Sequence, residues 1–183
     1  MGFDVYGKAP TSTEGKYFTR NIFRWPPLAQ LLIELCPRET RACKSWMYND
    51  GDGLDSVDAI ELARRLKRLR ADGTIDAYCL EQNARAEAAL DVVRECHPQF
   101  GICRAGAEGE GIGQARTGSI ICEVGNLTVI GELSSQVGDD DVDERLSTIM
   151  PLMRSLPSTF PVTPADVDEF IRFAAASGGF CIW

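Results

Sequence analysis

At 183 residues the chain has room for one well-cored domain, and its 44% hydrophobic and 25% charged residues argue against a disordered chain. A formal net charge of −8 argues against general binding to nucleic acid or to an anionic membrane. It suits a basic protein partner, or simple solubility.

In chain order, Phe3-Asp4-Val5-Tyr6 alternates apolar and polar residues and stops at Gly7, which predicts a short strand. Residues 8–24 read as irregular. Trp25-Pro26-Pro27 opens a helix, because proline is tolerated in a first turn. Leu28, Leu31, Leu32 and Leu35 recur at helical spacing until Pro37. The apolar stretch Leu28 to Cys36 is far short of the roughly 20 residues that span a bilayer.

A second helix is the best specified. Asp55 is its N-cap, and Asp58 stands three residues later as in a capping box. Ala59, Ile60, Leu62, Ala63, Leu66 and Leu69 form its apolar stripe, and Gly73 its stop. A third helix follows, with Thr74 as cap and Tyr78, Ala86, Leu90 and Val93 among its buried positions. It ends near Pro98. Residues 101–118 hold six glycines and read as a flexible loop. Residues 119–124 and 127–133 flank Gly125-Asn126, a hairpin signal. A helical pattern runs through Leu146, Ile149, Met150 and Met153. Thr163-Pro164-Ala165-Asp166 starts the last helix, which buries Val167, Phe170, Ile171 and Ala174. Gly178-Gly179 ends it, before a final strand at Phe180–Trp183. The expected product is a single α+β domain spanning 1–183, with a small, mainly antiparallel sheet and about five helices.

Candidate chemistry concentrates in Asn49–Asp58, where four aspartates and two glycines sit in ten residues. Read as an EF-hand with Gly53 at position 6, the loop has Asp50, Asp52 and Ser56 at ligand positions. Tyr48 and Ala59 stand at positions 1 and 12, where oxygen ligands are needed. The competing reading is a glycine turn that feeds a capped helix. Asp50, Asp52, Asp55 and Asp58 remain the candidate divalent-metal ligands, with Asp50 and Asp52 the two lacking an evident structural role. No other cofactor is implied.

Arg64-Arg65-Leu66-Lys67-Arg68-Leu69-Arg70 puts five cations in seven residues. This is either a phosphate-binding patch or a helix C-terminus with charges that suit its dipole. Cys96, His97, Cys103 and Cys122 are awkwardly spaced for zinc. His97 is the only histidine, and no nucleophile elbow is present. The glycine run lacks the Lys-Ser/Thr of a phosphate loop. Seven cysteines leave at least one unpaired in a monomer. The opening Met1–Val5 lacks an export signal, which implies reduced thiols and a cytoplasmic protein.

Met1-Gly2-Phe3-Asp4-Val5-Tyr6-Gly7-Lys8, Asn49-Asp50-Gly51-Asp52-Gly53-Leu54-Asp55 and Ser177-Gly178-Gly179-Phe180 together resemble an uncharacterised group of bacterial and phage-borne proteins. The resemblance covers both ends and the aspartate loop, not the middle. It implies a cytoplasmic, mobile-element setting and no particular activity. Some members carry paired cysteines in the middle region, whereas this chain has no Cys-x-x-Cys. With no complete catalytic set, the expected function is that of a non-enzymatic acidic interaction or inhibitor-type accessory factor with an unidentified protein partner. The alternative is a divalent-metal module or a metal-dependent enzyme that uses the Asp50–Asp58 loop.

Overall fold

The computed structural model describes residues 2–96, 100–104, 119–124, 127–132 and 161–183. The fold is α+β. Its elements are β1 (Gly2–Gly7), β2 (Tyr17–Asn21), α1 (Trp25–Leu35), β3 (Gly53–Leu54), α2 (Ser56–Ala71), α3 (Thr74–Cys96), β4 (Phe100–Arg104), β5 (Ser119–Val124), β6 (Leu127–Glu132), α4 (Pro164–Ala176) and β7 (Phe180–Ile182). The helical pattern around 146–153 lies outside the described residues, so four of the expected helices are seen. The chain groups into two compact units, Met1–Asn83 with Phe160–Trp183, and Ala84–Thr159.

In the first unit four strands form one antiparallel sheet in the order β2-β1-β7-β3. The two chain ends therefore pair, with Val5 opposite Ile182 and Gly7 opposite Phe180. The segment 8–24 is not all irregular, because Tyr17–Asn21 returns as β2 alongside β1. Its alternation is short, and only pairing with β1 makes it a strand. Strand periodicity then sorts the side chains. Phe3, Val5, Phe18, Leu54, Phe180 and Ile182 point inward and are buried. They join one core with α1, α2, α4 and the start of α3.

Trp25 sits at the centre of that core, fully buried and stacked between Phe3 at 5.5 Å and Trp46 at 6.3 Å. Both indole N–H groups donate to backbone, Trp25 to the Trp46 carbonyl at 2.6 Å and Trp46 to the Thr40 carbonyl at 3.1 Å. That removes the penalty of a buried unpaired donor. Helix α4 begins with a full capping box. The Thr163 hydroxyl accepts from Asp166 N–H, and the Asp166 carboxylate accepts from Thr163 N–H. Val167, Phe170, Ile171 and Ala174 are buried as expected. Arg20 ties β2 to this helix through Asp166 at 3.2 Å and Glu169 at 2.6 Å, with its guanidinium over the Phe18 ring.

Helix α2 buries Ala59, Leu62, Ala63, Leu66 and Leu69, but Ile60 falls at the edge of the stripe and is exposed. Thr74 is the first residue of α3 rather than its cap, and the Asp72 carboxylate accepts from its N–H and its hydroxyl. Ile75 and Cys79 are buried in this helix besides Ala86 and Leu90, while Tyr78 is half-buried.

In the second unit β4, β6 and β5 form a separate antiparallel sheet. The expected hairpin is present, with Val124 opposite Leu127. The glycine-rich stretch does not begin as a loop, since 101–104 belong to β4. Residues 105–118 lie outside the described residues, as does His97. Among the described residues no helix is long and apolar enough to cross a membrane.

Candidate functional site

The three segments Gly2–Lys8, Asn49–Asp55 and Ser177–Phe180 meet at one edge of the first unit. Lys8 N–H donates to the Gly179 carbonyl at 2.8 Å, and Lys8 Nζ to the Leu54 carbonyl at 3.1 Å. Gly51 N–H donates to the Ile182 carbonyl, and Ile182 N–H to the Asp52 carbonyl, both at 2.8 Å. The Asn49 side-chain amide reaches the Gly2 carbonyl at 3.1 Å. The aspartate loop is thus laced along β7 by backbone bonds, as the lead-in to β3.

Three of the four aspartates accept backbone hydrogen bonds here. Asp52 Oδ2 accepts from the N–H groups of Lys44 at 2.6 Å and Ser45 at 3.1 Å, and Oδ1 from Gly53 N–H at 2.7 Å. Desolvation pushes its pKa up, but the N–H groups of Lys44, Gly53 and Ser45 outweigh that and hold it below the ordinary carboxylate value. Asp50 Oδ1 accepts from Asp52 N–H at 3.1 Å, an Asx turn. Asp55 is the N-cap of α2, accepting from Val57 and Asp58 N–H at 2.9 Å each. Asp58 lies in the first turn, where its charge complements the positive helix end. The expectation that Asp50 and Asp52 lack a structural role is therefore corrected, since Asp52 carries more backbone bonds than any other residue of the loop. Among the described residues no three His, Cys, Asp or Glu side chains form a group able to hold a metal ion. The Cys96, His97, Cys103 and Cys122 side chains lie outside the described residues. Asp55→Ala is expected to cost about 1 kcal/mol, the same with and without millimolar calcium, magnesium or manganese, in thermal melts. A cost that grows with metal would mark coordination instead.

Thiol chemistry is also constrained. Burial pushes the Cys36 and Cys43 thiols up to about 12 and the Cys79 thiol up to about 11, so all three stay protonated at neutral pH. Cys36, Cys43, Cys79 and Cys181 are all unbridged.

What the junction builds is a surface. Directly paired residues of an antiparallel sheet point to the same side. Tyr17 pairs with Tyr6, Tyr6 with Cys181, and Thr19 with Asp4. Asp4 and Trp183 exchange both backbone hydrogen bonds at 2.7 Å, so they too face one way. Tyr6, Tyr17 and Trp183 are 45%, 47% and 54% exposed on this outer side, while the helices pack on the inner one. The Tyr6 and Tyr17 rings lie 5.2 Å apart. Tyr17 donates its hydroxyl to Asp4, which raises its pKa and keeps it neutral. The Trp183 indole N–H points to Cys181 Sγ at 3.2 Å, and its ring lies over Gly51. A side chain at Gly51, where φ is +84°, would start 2.7 Å from that ring. Sequence reasoning missed this face because β2 was unrecognised. The alternation of Tyr17-Phe18-Thr19-Arg20 was the available signal.

These features define a two-unit α+β protein whose four-stranded sheet carries exposed aromatic residues on its outer face. No family model, curated protein or solved structure matches the chain.

Proposed function

We propose that this protein is a non-enzymatic, inhibitor-type interaction factor that docks a basic protein surface on the outer face of its four-stranded sheet. The observation that carries this reading is the group Tyr17, Tyr6, Cys181 and Trp183 on the outer sheet face, with Tyr17, Tyr6 and Trp183 exposed. Tyrosine and tryptophan supply much contact area at small entropic cost and dominate binding hot spots. Trp183 is held by its Cys181 contact and its seat on Gly51, so little ordering remains to be done on binding. Asp4 lies on the same face, opposite Thr19 and Trp183, Asp50 precedes the Gly51 seat of Trp183, and the whole chain carries −8. Complementarity therefore favours a cationic partner. The four described cysteines, all unbridged, suit a reducing, cytoplasmic setting.

Affinity capture from the native host tests this with matched variants. The wild-type chain should retain a basic protein that Tyr6→Ala plus Trp183→Ala loses by at least about tenfold, since each ring is expected to contribute 1–2 kcal/mol or more. Retention should also weaken as salt rises. Equal retention by wild type and variant, or no specific partner, would contradict the reading.

A further inference from the structure

A cleft of about 330 Å³ opens between the end of α1 and the outer side of α2, lined by Leu35, Pro37, Arg38, Glu39, Arg65 and Arg68. Its volume is at the small end of the range for small-molecule sites. Arg65 and Arg68 are three residues apart on one helix, so their side chains rise from the same face. Leu66 and Leu69, buried beside them, fix that face relative to the core. Arg38 enters from the turn after α1. Thr40 holds this turn closed, donating its N–H and its hydroxyl to the Cys36 carbonyl at 3.0 and 2.8 Å.

The other arginines near this helix are spoken for. Arg64 pairs with Glu61 at 2.6 Å, and Arg70 with Asp76 at 2.6 Å and Asp168 at 3.2 Å. Arg38, Arg65 and Arg68 make no ion pair or side-chain hydrogen bond among the described residues. The α2 dipole accounts for a cation at Arg68, but Arg38 lies off that helix. Three guanidinium groups without a direct ion pair around one concavity, with only the more distant Asp72 carboxylate acting on Arg65, are unexpected in a chain of net charge −8. Guanidinium forks match phosphate oxygens bidentately. Leu35 and Pro37 give the cleft an apolar wall, and Glu39 gives it one acceptor for a ligand hydroxyl or amine.

We propose that this cleft is a binding site for a small phosphorylated organic molecule, its phosphate held by Arg38, Arg65 and Arg68 and its less polar body against Leu35 and Pro37. The site lies on the helical side, away from the open sheet face, so it stands or falls independently of partner docking.

Titration calorimetry and thermal melting of the full chain with pyrophosphate and with adenosine monophosphate test the assignment. Both ligands should bind and raise the melting temperature, the nucleotide more tightly because it also covers the apolar wall. Arg65→Gln plus Arg68→Gln should weaken both on the order of tenfold or more, whereas Arg64→Gln should leave both unchanged. If the double variant melts early without ligand, Arg38→Gln on the turn makes the same test and should weaken binding about threefold or more. No binding up to about 10 mM of either ligand, or affinity unaltered by these substitutions, would overturn the proposal.

Discussion

Gly178→Ala is expected to destabilise the protein by about 3 kcal/mol or more, while Gly73→Ala costs only about 1 kcal/mol. Both glycines have positive φ, +62° at Gly178 and +81° at Gly73, so both substitutions meet the same left-handed backbone penalty. Their surroundings differ. A Cβ at Gly73 would meet nothing within 4 Å, because this residue simply ends α2 at the surface. A Cβ at Gly178 would stand 2.2 Å from the Ala9 carbonyl oxygen, which is backbone and cannot rotate away. The chain around Ala9 is itself pinned, since Lys8 and Ala9 donate their N–H groups to Gly179 and Ser177. Relief would require parting the first loop from the helix α4 terminus. In thermal melts the Gly178 substitution should lower the midpoint by roughly 6–12 °C and the Gly73 substitution by a few degrees. Equal shifts would mean that the close approach of the two segments is not what Gly178 serves.

Asp52→Ala is the second large effect expected, a loss of about 2 kcal/mol from three charge-assisted backbone bonds in a half-buried turn. It carries a pH signature. The folded-state pKa of Asp52 is lowered, so its contribution is complete above the unfolded value near 4. The contribution fades as pH falls below about 4 and through the lower folded value. The gap between wild type and Asp52→Ala in denaturant melts should be constant from about pH 5 to 7 and narrow as pH falls below about 4. Asp50→Ala, which removes one exposed turn bond, should cost well under half as much. If Asp50 and Asp52 prove equivalent, the loop is not organised around the Asp52 carboxylate.

Local signals carried the helices. Asp55, Gly73 and Thr163 act through bonds to residues at most four positions away, so their roles were legible in the sequence. So was the inward half of β1, because Phe3 and Val5 alternate with Asp4 and Tyr6. What was illegible is non-local. Asp52 meets Lys44 and Ser45 only after residues 43–45 fold back over the loop, and no spacing rule anticipates that. Trp25 reads as a helix-opening residue, yet its core position depends on Phe3 and Trp46 from distant segments. The aromatic row needed the registers of β2, β1 and β7 together. Once those are known, three separated aromatic residues become one surface.

The aspartate loop that dominates the sequence is tied into the scaffold by its hydrogen bonds. It carries Gly51 under Trp183 and sets β3 beside β7. The proposed working surface is the sheet face that this scaffold steadies.

Site-specific photo-cross-linking in the native host tests that claim most directly. A photoreactive residue replacing Tyr17 should capture one discrete basic protein, while the same residue replacing Val57, which is 66% exposed on α2, should not. Capture from Val57 but not Tyr17, or from neither position, would contradict the docking role of the open sheet face.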